Sequence, residues 1–516
     1  MQEIKRLIGL AILSAVIAGG IFVFFEKKEA VKEITFSTSD AKGLKGEISI
    51  ALDSWIGYFY FRSPVFGSMM RDEGYRIKVV DDRADYPERM KMLKEGEVDF
   101  AVCTVDSYLL NGKSAKYPAA IVTVIDQSKG GDAIVAWKKS VGNIDSLKTR
   151  KELSIAFTPA SPSEHLLKAI SAHFDIPLFS SGNNGWRVEV NGAEEGYEKF
   201  MKHEVDCAVL WEPHVTEALA DPGVVKLIGS EDIENLIVDI LLVNRKYAKD
   251  KPELVDLFLK KYFETMTYYR SSPLRLRQDI TAHFSIPEKR VGYMLKGVKW
   301  LSYGENTNWF GLTTKSQHRR PEIVDAINSS LKILISNNDF SSNPLIDGDP
   351  YTIINSSFLS TLYGGGSGQK GETASGDMSL SRRFSRISDS EWNSLTVVGS
   401  LKLRPVTFRS GTSVIDDNGQ EQIEEIVESI RHYPNFRILV KGHSGLRGDA
   451  EANRELSRVR AEAVKKYFET SYGIDPNRIR TIGAGSGEPL SRRGEESERE
   501  YDNRLKRVEI LLLTGR

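Results

Sequence analysis

Two sets of polar residues in this sequence stand where side chains commonly meet a ligand. The first set follows candidate β-strands. Asp53, Ser54 and Trp55 close the run GEISIALDSW, Thr104, Asp106 and Ser107 follow VDFAVC, and Trp211 and Glu212 close VDCAVLW. Open α/β sheets hold ligands just past the C-terminal ends of their strands, so these residues are candidates for lining a cleft. The indoles would supply apolar area, and the hydroxyls and carboxylates would orient a small molecule. The plainer alternative makes Trp211 a core residue and Asp106 a helix cap. Ser161, Ser163 and Glu164 form an S-x-x-E capping box with Pro162 at the first helical position. Such a helix start also offers unpaired N–H groups to an anion such as a sulfonate, carboxylate or phosphate. The second set lies in GHSGLRGDAEANRELSRVRAEAVKKYF (442–468), where Asn453 and Arg460 project from one helix and Asp449 precedes it. A guanidinium fork there can grip a carboxylate with two parallel hydrogen bonds, although an ordinary solvated arginine beside Arg454 and Arg458 has the same spacing.

These are binding chemistries, not catalytic ones. No Ser/His/Asp set, zinc spacing or phosphate-cradling glycine loop is present, and the eight histidines are scattered. The expectation is no enzyme activity, no cofactor and no metal. Lys plus Arg total 70 against 71 for Asp plus Glu, which leaves no overall field for nucleic acid. Both cysteines, Cys103 and Cys207, sit inside apolar runs and read as buried thiols rather than a disulfide.

At 516 residues the chain needs several cores to carry these sets. The run Leu7–Phe25 follows Lys5 and Arg6 and is long enough to span a bilayer, which predicts a transmembrane signal anchor over 1–28 with the N-terminus cytoplasmic. A cleaved signal peptide is the alternative, disfavoured because IFVFF continues past the small residues Val16 and Ala18. A polar spacer over 29–45 leads into alternating strands and helices over 46–340. Within these, YPERMKMLKEGEVDFAVC is echoed about a hundred residues later by GYEKFMKHEVDCAVLW, which predicts two similar α/β lobes. Residues 341–380, with the Gly/Ser-rich stretch 363–379, read as a flexible linker. The last segment, 381–516, reads as strand LKLRPVTF, helix QEQIEEIVESIRHY, strand FRILVKGH, helix ANRELSRVRAEAVKKYFETS and strands RIRTIGAG and LKRVEILLL. These would form an α+β sandwich of two helices on a mixed sheet.

Two resemblances go with these motifs. LDSWIGY, VDFAVCTVDSYL, VIDQSKGGDAIVA, FTPASPSEHLLKA, VDCAVLWEP and WLSYGENTNWFG resemble the periplasmic solute-binding proteins of the alkanesulfonate, taurine and nitrate ABC-transporter type. That resemblance implies a type 2 periplasmic-binding-protein fold, two α/β lobes closing on a small ligand, which the helix start at Ser161 would allow to be anionic, with an ABC transporter permease or another envelope protein as partner. In it Gly130 and Gly131 would permit close backbone approach at a lobe crossover, although a simple turn is equally compatible with them. The GHSG…N…L-S-x-x-R-A pattern resembles OmpA-like peptidoglycan-binding domains. This implies that Asn453 and Arg460 hold diaminopimelate of the stem peptide and that His443 packs structurally. The acid of the family's G-H-T-D is Gly445 here, so Asp449 is the candidate for supplying that charge, with an ordinary helix N-cap as the alternative. Together these features predict an inner-membrane, single-pass protein with its bulk in a Gram-negative-type periplasm. The alternative is a structural or stress-related envelope linker whose solute-binding fold takes no ligand.

Overall fold

The computed structural model describes residues 33–34, 44–150, 152–174, 176–179, 184–313, 320–364, 380, 382–409, 411–494 and 496–515. The apolar run Leu7–Phe25 and the stretch 365–379 lie outside them. Among the described residues no helix is long and apolar enough to cross a membrane.

The chain opens with β1 (Glu33–Ile34), β2 (Gly46–Leu52) and β3 (Tyr75–Asp81), then α1 (Tyr86–Glu95), β4 (Phe100–Thr104), α2 (Val105–Gly112) and β5 (Ala119–Ser128). It crosses to a second lobe with β6 (Asp132–Trp137), β7 (Ile155–Phe157), α3 (Pro162–His173), β8 (Arg187–Glu189), α4 (Ala193–Met201), β9 (Cys207–Trp211) and β10 (Val224–Gly229). It returns through β11 (Val238–Asn244), α5 (Pro252–Ser271), β12 (Val298–Trp300), α6 (Glu322–Ser336) and α7 (Ser357–Gly364). The first lobe is a seven-stranded sheet in the order β1-β3-β2-β4-β11-β5-β12, and the second a five-stranded sheet in the order β10-β6-β9-β7-β8. The two lobes are therefore joined by two crossings, Ser128 to Asp132 and Gly229 to Val238. All residues of β4, β5 and β11 are buried, as continuous apolar strands covered on both faces must be. The echoed units fall on β4 and β9, one in each lobe, and Cys103 and Cys207 on them are buried free thiols.

Helix α6 packs against both α2 of the first lobe and α3 of the second. Just beyond it Asp339 pairs with Lys168 at 2.7 Å, and the Asn337 amide donates to the Lys168 carbonyl at 2.9 Å. One helix thus straddles the two lobes.

The C-terminal domain is a four-stranded mixed sheet, β13 (Thr396–Ser400), β16 (Val508–Thr514), β14 (Arg437–His443) and β15 (Ile479–Gly485) in that order, with β14 and β15 parallel. It is covered by α8 (Asp417–Arg431) and α9 (Ala450–Tyr472), and a short α10 (Glu498–Leu505) precedes β16. Ile423, Ile426, Val427 and Ile430 of α8 and Ala461, Val464 and Phe468 of α9 bury the apolar stripe. This domain docks on the second lobe. Phe174 bridges Leu401, the Lys402 amide donates to the His173 carbonyl at 2.7 Å, and the Asn435 amide donates to the Glu231 carbonyl at 2.8 Å. The apolar residues of lobe and domain form one continuous core.

Three expectations need correction. LKLRPVTF is not a strand, because Pro405 has no N–H to give a ladder; the edge strand is Thr396–Ser400, paired with β16. The spacer 29–45 contains β1, paired antiparallel with β3. Residues 341–364, read as linker, pack on the first lobe instead, with Ile353, Phe358 and Leu359 buried there. Those apolar residues are what a truly flexible linker lacks.

Candidate functional site

Among the expected residues, those after β4 in the first lobe and after β9 in the second come to one junction, where Asp106 and Glu212 both act electrostatically on Asp132 of β6 and Trp211 packs against residues of both lobes. Their side chains then divide. Asp53 turns inward, accepting from the Trp55 amide at 2.9 Å and from the fully buried Arg89 at 3.1 Å. Arg89 also grips Asp82, with Nε at 2.6 Å, and donates to the Val102 carbonyl. Burial opposes the charge of Arg89, but Asp82 and Asp53 outweigh it. The Asp53 carboxylate is thus consumed within its own lobe, contrary to its expected place facing a ligand. Ser54 is exposed, and Thr104 and Ser107 are joined to each other at 2.9 Å. Asp106, in the first turn of α2, is buried and lies within electrostatic reach of Asp132 and His165 in the second lobe.

Across the junction Ser161 caps α3. Its Oγ accepts from the Ser163 amide at 3.2 Å and donates to the Thr158 carbonyl at 2.7 Å. Glu164 closes the turn through the Ala160 amide at 2.8 Å and pairs with Arg187 and Lys168. Ser163 is fully buried with its hydroxyl on the Val209 carbonyl, inside the lobe rather than on its face, because the second helical position points back toward the sheet. Trp211 is half-buried against residues of both lobes. Glu212 accepts from Thr216 at 3.1 Å and 2.6 Å, which uses its carboxylate as a helix cap. Gly131 is required where it stands: a Cβ there would lie 2.5 Å from the Trp55 ring and 3.1 Å from the Gly297 carbonyl.

The junction also holds acids that were not expected. Asp126 and Asp239 oppose each other in the antiparallel pairing of β5 and β11, and both are buried. Burial pushes Asp126 up to about 7, against hydrogen bonds from Asp239 and Trp55, and raises Asp239 as well. Tyr58 donates to Asp239, and the Trp55 indole lies 3.4 Å from Asp126. Asp132 is likewise pushed up to about 7 by burial, against a hydrogen bond from Ser128 at 2.6 Å. A lone Asp inside the apolar runs IVTVIDQS and VDILLVN was the available signal.

In the C-terminal domain Arg460 lies 5.1 Å over the Phe408 ring and donates from Nε to the Thr412 carbonyl at 3.0 Å. The Asn453 amide donates to the Arg447 carbonyl at 3.0 Å, closing the loop ahead of α9. Asp449 caps α9 by accepting from the Ala452 amide at 2.8 Å. The carboxylate beside Gly445 is instead Asp502 of α10: a Cβ at 445 would collide with its Oδ1, and its other oxygen pairs with Lys506 at 2.6 Å. His443 is buried next to Glu509 at 3.3 Å.

Compared with known proteins, residues 70–275 match the NMT1/THI5 like family and residues 407–503 match the OmpA family. The chain joins a segment of the one to a segment of the other. Residues of the C-terminal domain are similar to outer membrane protein Omp38 of Acinetobacter baumannii, 30% identical over 92 residues, which cover 18% of this chain and 26% of that protein. They are similar too to the peptidoglycan-associated lipoprotein of Brucella melitensis biotype 1, 30% identical over 86 residues, covering 17% and 51%. The chain spans about a quarter of the first relative and about half of the second. Among solved structures, the alkanesulfonate-binding protein SsuA from Xanthomonas axonopodis pv. citri, bound to MOPS, is 15% identical with a TM-score of 0.45, covering 57% of this chain and 93% of that one. The desulfurization enzyme DSZB is 10% identical with a TM-score of 0.43, covering 62% and 99%. Neither likeness carries a ligand or an activity over to this chain.

Proposed function

We propose that this chain is a non-catalytic envelope protein that binds a small solute between its two lobes and holds peptidoglycan through its C-terminal domain. In this reading Leu7–Phe25 is an uncleaved inner-membrane anchor, the bulk lies in the periplasm, and an ABC transporter permease or another envelope protein receives the solute. The observation that supports it is the junction itself: Asp106 of the first lobe and Asp132 and Glu212 of the second are buried within electrostatic reach of one another beside paired crossings, an arrangement suited to hinge closure on a ligand. In the C-terminal domain Arg460 takes a diaminopimelate carboxylate, Asn453 shapes the loop beside it, and Asp502 supplies the acid absent at Gly445. The sequence expectation of an anionic solute draws no support from the groups around Ser161, where Glu164 already uses Arg187 and Lys168.

Native mass spectrometry of the full chain purified from cells tests the solute-binding half. A reproducible co-purifying small molecule, lost on denaturation, is expected. Its absence, together with no ligand-induced rise in melting temperature, would favour the second reading, a structural envelope linker. One observation supports that alternative: α6 clamps both lobes.

A further inference from the structure

The junction between the lobes is acidic, and its neighbouring cations are engaged elsewhere. Asp106 from the first lobe and Asp132 and Glu212 from the second are 3%, 4% and 8% exposed. Asp106 and Glu212 both act electrostatically on Asp132. Asp132 receives Ser128, and Glu212 is held by Thr216. Asp106 has only a 3.5 Å contact from Ser107 on one oxygen, and its Oδ1 is buried with no hydrogen-bond partner among the described residues. Facing it from α3, His165 is 2% exposed and both its ring nitrogens are in the same condition. The two are within electrostatic reach of each other. Arg89 serves Asp53 and Asp82, Lys168 serves Glu164 and Asp339, and Arg290 pairs with Glu217. Interiors seldom leave such groups unsatisfied, because each has given up its water.

We infer that the solute is an organic cation with N–H donors, an ammonium or amidinium on an apolar body, held by Asp106 Oδ1 and a ring nitrogen of His165 with Asp132 and Glu212 beside them. This rests on the reading of the junction as the solute site. A charge-assisted hydrogen bond to Asp106 satisfies the orphaned oxygen, and the neutral His165 accepts a second N–H. Burial keeps that imidazole neutral. Trp55, whose ring edge reaches Gly131, and Trp211, paired with Asp132 in the β6–β9 register, offer aromatic faces to the cation and its apolar body. An anion in the same place would meet three carboxylates.

The test uses the full chain and two probes of one shape and opposite charge, benzamidine and benzenesulfonate, with benzylamine as a second cation, in calorimetry and thermal melting. Binding of a cation without binding of benzenesulfonate is expected, and Asp106→Asn should weaken it by about tenfold or more. Circular dichroism and a second variant, His165→Phe, separate loss of the site from loss of fold: the folded His165→Phe protein, which keeps a ring but no acceptor, should also bind the cation more weakly. Binding of benzenesulfonate alone would overturn the cation inference and leave solute binding standing. Unchanged cation affinity in both folded variants would overturn the assigned site. No binding by any probe would overturn the inference, and a co-purifying anionic or neutral molecule would then show that the solute-binding reading survives it.

Discussion

Acidification should loosen the C-terminal domain from the second lobe, through His173. Its ring stacks on His432 with centroids 5.3 Å apart, and its Nδ1 lies 2.7 Å from the Tyr433 hydroxyl. Burial keeps that hydroxyl protonated, so it donates to a neutral imidazole. Burial, with His432 and His165 nearby, lowers His173 from 6.5 to about 3. A basic group depressed in the docked state contributes stability that is complete above its undocked value and is lost as pH falls toward the docked one. Between pH 7.5 and pH 5 the loss is at most about 2 kcal/mol, or about thirtyfold in the docking equilibrium, since one unit is worth about 1.36 kcal/mol. It is an upper figure because the rings keep some solvent contact. The surrounding charges do not cancel it: Glu428 and Glu234 raise His432 while burial and Lys332 lower it, with burial the largest influence. A global melt is the wrong assay, because Asp126 and Asp132 act in the opposite sense. Their folded values, about 7, lie above the ordinary 3.8, so their contribution is complete below that value and is lost as pH rises toward 7. Hydrogen exchange localised to β13 and to residues 430–436, corrected for intrinsic rate, isolates the interface. Protection there should fall by up to about thirtyfold at pH 5 in the natural chain and by less in His173→Gln, whose amide oxygen still accepts from Tyr433 and in which His432 alone is left to titrate. Equal protection at both pH values, or the same fall in His173→Gln, would refute the assignment.

Replacing Arg89 by Met leaves Asp53 and Asp82 buried without their partner, and should destabilise the first lobe by about 3–5 kcal/mol in denaturant unfolding. Gly131→Ala places a Cβ against Trp55 and Gly297, so small-angle scattering should report a larger radius of gyration than for the natural chain. In pulldowns of the full chain with purified peptidoglycan, Arg460→Ala and Asp502→Ala should each lose binding. Asp449→Ala should keep it and lose only about 1 kcal/mol of stability as a missing cap; loss of binding in Asp449→Ala with retention in Asp502→Ala would reverse the assignment of the acid.

Much of the architecture was legible along the chain. The apolar runs VDFAVC and VDCAVLW marked β4 and β9, and Ser161 marked the start of α3, because each depends on residues near one another in sequence. The repeated E-V-D-x-A-V unit marked two lobes for the same reason. LKLRPVTF misled because its alternation suits a strand, while the partner for pairing is chosen by β16, more than a hundred residues away. The site was less legible. Asp53 has the right position after its strand, but Arg89 on α1 claims its carboxylate, and that pairing exists only once helix and sheet pack. Asp126 and Asp239 meet through strand register, Asp502 reaches Gly445 from a helix not expected at all, and His173 becomes a pH-sensitive group only through burial between two domains. Local propensity and apolar period determined where the elements run, since those are properties of neighbours in sequence. Only the tertiary structure decided which charges are spent and which remain open, because that depends on distances between groups far apart along the chain and on the water each loses when it is buried.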